Sequence, residues 1–91
     1  MTTRSPFDAA ARRLRALAHP VRLRILARLA EGECCASEAT TCAGISQPNA
    51  SQHLRALREA GYIAGQRQGT RICYRIADAR TADFVKNLLK G

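Results

Sequence analysis

Between positions 46 and 74 the chain runs SQPNASQHLRALREAGYIAGQRQGTRICY, a succession of helix cap, amphipathic helix, glycine stop and hairpin. Ser46 is a capping residue, and Pro48 is tolerated because backbone N–H groups in a first turn have no intrahelical partner. Ala50, Leu54 and Leu57 recur at helical spacing as an inward stripe, and Gly61 ends the helix. Residues 62–64 and 72–76 read as two strands, with Gly69 in the turn between them, flanked by Arg67, Gln68, Thr70 and Arg71. Away from the apolar stripe lie Gln47, Asn49, Ser51, Gln52 and Arg55. Asparagine and glutamine pair bidentately with adenine, arginine does so with guanine, and a serine reaches a base edge or a phosphate. The Ser46 cap leaves the helix N-terminus as a further phosphate site, and Arg67, Thr70 and Arg71 at the hairpin tip suit phosphates or a minor groove. His53, beside Leu54, reads first as a half-buried packing residue and second as a DNA contact.

Composition agrees with this polar and basic face. The 91 residues make one small domain, residues 1–91, with so modest a core that oligomerisation is favoured. Lys+Arg number 15 against 7 Asp+Glu, a net charge of +8, and every cation except Lys86 and Lys90 is arginine. The planar guanidinium fork matches phosphate and guanine edges, so the bias suits nucleic acid better than mere solubility. No run of about 18 apolar residues is present to span a membrane, and MTTRSPFDAA lacks the apolar core of a signal peptide. A cytoplasmic protein with reduced thiols is expected, its four cysteines free, metal-binding or redox-responsive rather than a disulfide framework.

The flanking segments are helical. Ser5-Pro6-Phe7-Asp8 is a start signal, with Ser5 as cap, Pro6 at the first position and Asp8 reaching back. Phe7, Ala10, Leu14 and Leu17 follow helical spacing over about 5–18. His19-Pro20 breaks this helix and opens a second, apolar around much of its girth (Val21, Leu23, Ile25, Leu26, Leu29, Ala30) and therefore central to the core. A third helix is expected over about 33–43, stopped by Gly44, with Ile45 plugging the turn. A last helix over about 80–89 carries Phe84, Val85, Leu88 and Leu89 on one side. The order ααααββα, mainly α with a β-hairpin, places a helix-turn-helix at about 33–60 and a wing at about 62–76: a winged helix-turn-helix.

The segments 16–29 (ALAHPVRLRILARL), 45–63 (ISQPNASQHLRALREAGYI) and 69–76 (GTRICYRI) together resemble the ArsR/SmtB family of small winged-helix repressors. The resemblance spans about 10–78. It implies a homodimer joined by its first and last helices, seated on a palindromic operator in double-stranded DNA and released when an effector binds. The apolar faces of the first helix (Phe7, Leu14, Leu17) and of the last (Phe84, Val85, Leu88) suit such a seam on their own account. Recognition helices in a dimer of this kind lie about 34 Å apart.

The cysteines leave the effector open. Cys34 and Cys35 fall at the expected start of the third helix, where the helix dipole favours thiolate. Vicinal thiolates can ligate a soft ion such as arsenite, cadmium or zinc. The family's metalloid sensors carry a Cys-x-Cys pair there, but Ser37 stands at the second position. Its persulfide or oxidant sensors pair one such cysteine with another in the last helix, and no cysteine follows Cys73 here. The zinc sites on the last helix need histidine, which residues 81–91 lack. Cys42 lies about 10.5 Å beyond Cys35 along an intact helix, too far to share an ion, and reads as a small buried hydrophobe. Cys73, between Arg71 and Arg75 on the outward face of the wing, is a candidate redox thiol beside Cys34 and Cys35. Two readings stand: a thiol effector site, by soft metal or by redox chemistry, and cysteines that only pack. An architectural DNA-coating protein without effector and a small thiol metal-carrier are the alternatives of other classes. An enzyme is not expected, since His19 and His53 sit at a helix start and on the polar helix after Ser46, with no nucleophile–base pairing evident.

Overall fold

The computed structural model describes residues 5–91, the side chain of Gln47 excepted. Among them the order is α1 (Pro6–Leu17), α2 (Pro20–Leu29), β1 (Cys34–Cys35), α3 (Ala36–Ala43), α4 (Gln47–Glu59), β2 (Ile63–Gln68), β3 (Arg71–Ile76) and α5 (Ala79–Lys90). The architecture is a winged helix-turn-helix, mainly α with a small antiparallel sheet of order β1-β3-β2.

Helix starts follow local chemistry. Ser5 Oγ accepts from the Asp8 N–H at 3.2 Å, with Pro6 pre-set for the first turn. His19 Nδ1 accepts from the Val21 N–H at 3.1 Å and thereby caps α2, and Asp78 does the same for α5 by accepting from the Arg80 N–H at 2.9 Å. Ser46 occupies the cap position of α4 with extended backbone, yet its hydroxyl makes no capping bond. Gly44 closes α3 at φ 69°, in the left-handed region where a Cβ is costly.

The core gathers on α2. Ile25 and Leu26 are wholly buried, and α1, α3, α4, α5 and β3 all pack on this helix. Leu54 and Leu57 of α4, Ala39 and Ala43 of α3, Tyr62, Ile63, Tyr74 and Val85 complete it. Arg28 ties the end of α2 to α3, donating to the Gly32 carbonyl at 3.3 Å and pairing with Glu38 at 3.2 Å. Tyr62 donates its hydroxyl to the Arg13 carbonyl at 2.8 Å, and the Arg13 guanidinium lies 5.1 Å over its ring. His53 is half-buried between α2 and α4, accepting from Arg22 Nε at 3.1 Å with its ring 4.4 Å from that of His19. It is thus a packing residue in this structure.

Four expectations need correction. Cys34 and Cys35 do not begin α3: they form β1, pairing Cys34 with Tyr74 and Cys35 with Cys73, so the order is ααβααββα rather than ααααββα. Their backbone satisfies the edge of β3, which would otherwise carry unpaired N–H and C=O groups. Cys42 is exposed, because α3 turns Ala39, Thr40 and Ala43 inward and leaves position 42 on the outer side. Val85 and Leu17 join the core instead of the apolar outer faces of α5 and α1, which consist of Phe84, Leu88 and Leu89 and of Phe7 and Leu14. The hairpin is also longer than expected: Arg67, Gln68 and Arg71 are strand residues, and only Gly69 (φ 64°) and Thr70 make the turn. No helix among the described residues is long and apolar enough to cross a membrane.

Two predictions follow from packing. A Cβ at Gly65 meets Tyr74 Cε1 at 2.9 Å, so Gly65→Ala should lower the unfolding free energy by about 1–3 kcal/mol in urea denaturation; an unchanged midpoint would refute that packing. Burial, with the neighbouring His19 and Arg22, holds His53 below its ordinary 6.5. The unfolded chain therefore takes up a proton that the fold resists, and the stability present above about pH 6.5 is lost as pH falls below it. Thermal midpoints should drop between about pH 7.5 and 5.5, and drop less in His53→Gln.

Candidate nucleic-acid interface and the adjoining thiols

Burial of Ala50, Leu54 and Leu57 fixes the rotation of α4. Asn49, Ser51, Gln52 and Arg55 consequently face solvent, as does Ser46 at the helix start; Gln47 opens the helix, but its side chain lies outside the described residues. Arg55 Nε pairs with Glu59 at 3.2 Å, one turn on. Such an exposed i,i+4 pair contributes little and leaves the guanidinium available to a stronger acceptor.

The wing rises beside this face. Arg67, Thr70 and Arg71 are exposed at its tip, and Gln68 donates to Glu33 at 3.0 Å, bracing the hairpin against the segment before β1. A cleft of about 490 Å³ separates α4 from the wing, with Ser51, Arg55 and Arg58 on one wall and Thr70 and Arg71 on the other. Three arginines thus line one concave surface together with the hydroxyl-bearing Ser37, Ser51, Thr70 and Tyr74. Arg58 was missed in the sequence, although its signal was there: 51, 55 and 58 share the i, i+4, i+7 spacing of one helix face.

Cys35 lines the floor of this cleft. Its Sγ lies 3.2 Å from Ser37 Oγ and 3.8 Å from Glu38 Oε1. The bond from Ser37, then the Glu38 backbone N–H and the nearby Arg71, lower the Cys35 thiol pKa. Cys34 behaves oppositely: burial pushes its thiol up, although Arg28 counteracts this. Of the two thiols expected to be activated alike, Cys34 is thus shifted up and Cys35 down, each by its own neighbours. Successive residues of a strand face opposite ways, so Cys34 turns to the core with Tyr74 while Cys35 turns away from it. The vicinal pair does not converge on one point, and among the described residues no three His, Cys, Asp or Glu side chains are grouped to hold a metal ion. Cys73 is half-exposed on β3, directly opposite Cys35.

Similarity to known proteins agrees with this geometry. Residues 19–64 match the profile of the bacterial regulatory protein, arsR family. A probable mercury resistance operon repressor of Streptomyces lividans is 44% identical over 78 residues, 86% of this chain and 62% of that protein. The HTH-type transcriptional repressor SmtB of Mycobacterium tuberculosis is 43% identical over 82 residues, 90% of this chain and 61% of its own length. The chain thus spans about three fifths of the length of these curated relatives. Among solved structures, the homodimeric winged helix-turn-helix DNA-binding domain of a possible ArsR-family regulator from Mycobacterium bovis superposes with a TM-score of 0.83 at 35% identity, covering 98% of this chain and 87% of that one. The profile spans α2 through the start of the wing and so takes in the α4 wall of the cleft, and the chain belongs to the ArsR family of bacterial regulatory proteins.

Proposed function

We propose that this chain is a sequence-specific transcriptional repressor that binds a palindromic DNA operator as a homodimer and leaves it in response to an effector sensed through a cysteine thiol. The observation that carries the reading is the cleft between α4 and the wing, where Arg55, Arg58 and Arg71 converge beside the exposed Asn49, Ser51 and Gln52. The α4 side chains supply base-edge chemistry for a major groove, while Arg67, Thr70 and Arg71 supply phosphate or minor-groove contacts. A net charge of +8 adds the sequence-independent attraction to the duplex.

Dimerisation is supported by what the monomer leaves uncovered. Phe7 of α1 is 84% exposed and Leu14 55%, and Phe84, Leu88 and Leu89 of α5 are exposed as well. Leu14 and Phe84 line one groove, so apolar side chains of the two helices stand side by side there. A two-fold axis through it sets two α4 helices about one turn of DNA apart, which is why the operator is palindromic. On the sensing side, Cys35 is the thiol with both lowered pKa and access to the cleft. For a thiophilic ion such as arsenite, cadmium or zinc, Cys35 is the cysteine that lines the cleft, and among the described residues no three candidate ligands are grouped around it, so a complete ligand set needs further donors. An architectural coating role is disfavoured, since phosphate contacts alone need no amide-rich helix face.

A salt-titrated gel shift on the protein's own promoter against random duplex tests the reading, and equal affinity for both would overturn it. Gln52→Ala and Arg55→Ala should each cost about 1–3 kcal/mol of specific binding and leave random-duplex binding nearly unchanged. Arg67→Ala should weaken both and reduce the salt slope by about 1. Phe84→Asp should yield monomers in sedimentation equilibrium and lose operator binding, and a dimer of unchanged strength would place the seam elsewhere.

A further inference from the structure

The β1–β3 ladder sets Cys35 directly opposite Cys73, two thiols from segments nearly forty positions apart. Opposed residues of an antiparallel pair carry their side chains on one face, with Cβ atoms about 4.5–5.5 Å apart. A disulfide needs Cβ atoms about 3.5–4.5 Å apart, so closure requires a shift of roughly an ångström. β1 is a two-residue edge strand leading straight into α3, so only two ladder pairs have to adjust to such a shift. Cys34 points to the opposite face and Cys42 lies out on α3, so Cys73 is the thiol that the register presents to Cys35. Cys35 is only 8% exposed, but it lines the cleft beside α4, which gives a small oxidant its route. Arg71, two residues from Cys73 on the same strand face, favours thiolate at Cys35.

We propose that Cys35 and Cys73 form a reversible cross-strand disulfide when a hydroperoxide oxidises Cys35, and that this bond weakens DNA binding. The Cys35 thiolate attacks a peroxide oxygen; the O–O bond breaks, and the leaving alkoxide or hydroxide takes a proton to become alcohol or water. Cys35 is then a sulfenic acid. The Cys73 sulfur attacks it, the S–S bond forms, the S–O bond breaks, and hydroxide leaves with the Cys73 proton as water. Two thiols give up two electrons and two protons, and the peroxide accepts them. A low-molecular-weight thiol reverses the bond by exchange. Closure draws Cys35 Sγ off Ser37 and Glu38 in the first turn of α3 and ties that turn to the wing strand. Since α4 packs on α3, the spacing between recognition helix and wing tip shifts. This coupling rests on the DNA-binding reading of that cleft; the disulfide itself does not.

The test treats the full chain with tert-butyl hydroperoxide. Non-reducing peptide mapping by mass spectrometry should find one intramolecular Cys35–Cys73 link, removed by dithiothreitol. Operator affinity should fall by about 5–150-fold on oxidation and recover on reduction. Cys73→Ser should bind operator normally when reduced, form no link, and accumulate Cys35 sulfenic acid that dimedone traps; Cys42→Ser should behave as wild type. A link through Cys34, a link only between chains, or a reversible response persisting in Cys73→Ser would overturn the pairing. An oxidised, correctly linked protein with unchanged operator affinity would overturn the coupling. Failure of the reduced wild type to bind its promoter would instead defeat the DNA-binding reading, while peptide mapping still decides the disulfide.

Discussion

Burial of α2 is the constraint from which the arrangement follows, because Ile25 and Leu26 lose all exposed surface only when α1, α3, α4, α5 and β3 surround them. Each fully buried aliphatic side chain contributes about 1.5–3 kcal/mol of transfer free energy. A chain of this size has few such residues to offset the entropy of ordering it. The helices that surround α2 therefore acquire fixed rotations. Leu57 turned inward leaves Gln52 and Arg55 outward, and Val85 turned inward leaves Phe84 and Leu88 outward. The surface proposed to meet DNA and the surface proposed to meet a second chain are both complements of one core.

The short β1–β3 ladder is the second organising contact. It consists of two residue pairs, yet it joins the start of α3 to the strand that carries the wing tip. Arg28, held by Glu38 and the Gly32 carbonyl, fixes the approach to that ladder from α2. The helix-turn-helix and the wing are thus coupled at Cys35, a residue whose own ionisation responds to Ser37, Glu38 and Arg71. Under the proposed switch, a small chemical change at that sulfur would act on both walls of the basic cleft, because Cys35 lines its floor and joins α3 to the wing strand.

Much of this was legible along the chain, since caps, stops and periodicity are local. Ser5-Pro6, His19-Pro20, Gly44 and Gly61 marked real boundaries, and the stripe Ala50, Leu54, Leu57 gave the correct face of α4. The exposed set on that helix followed from the same period, and that on the wing from its place around the Gly69 turn. What the reading missed depended on partners distant in sequence. Two cysteines before a helical segment look like its first turn, and nothing near them shows that Tyr74 and Cys73 will claim them as a strand. Cys42 and Val85 were misassigned for a related reason. Both lie on short amphipathic helices whose apolar side is broad, and only the neighbour chosen for burial tells inside from outside.

Local sequence thus determined the helices, their ends, the basic hairpin and the polar face of α4, because cap chemistry and the 3.6-residue period act within a few residues of each position. Tertiary packing decided which cysteine is activated, which is sunk in the core and which two stand opposite each other. Strand register and burial are set between segments nearly forty residues apart, and a thiol's ionisation depends on the side chains that this folding brings around it.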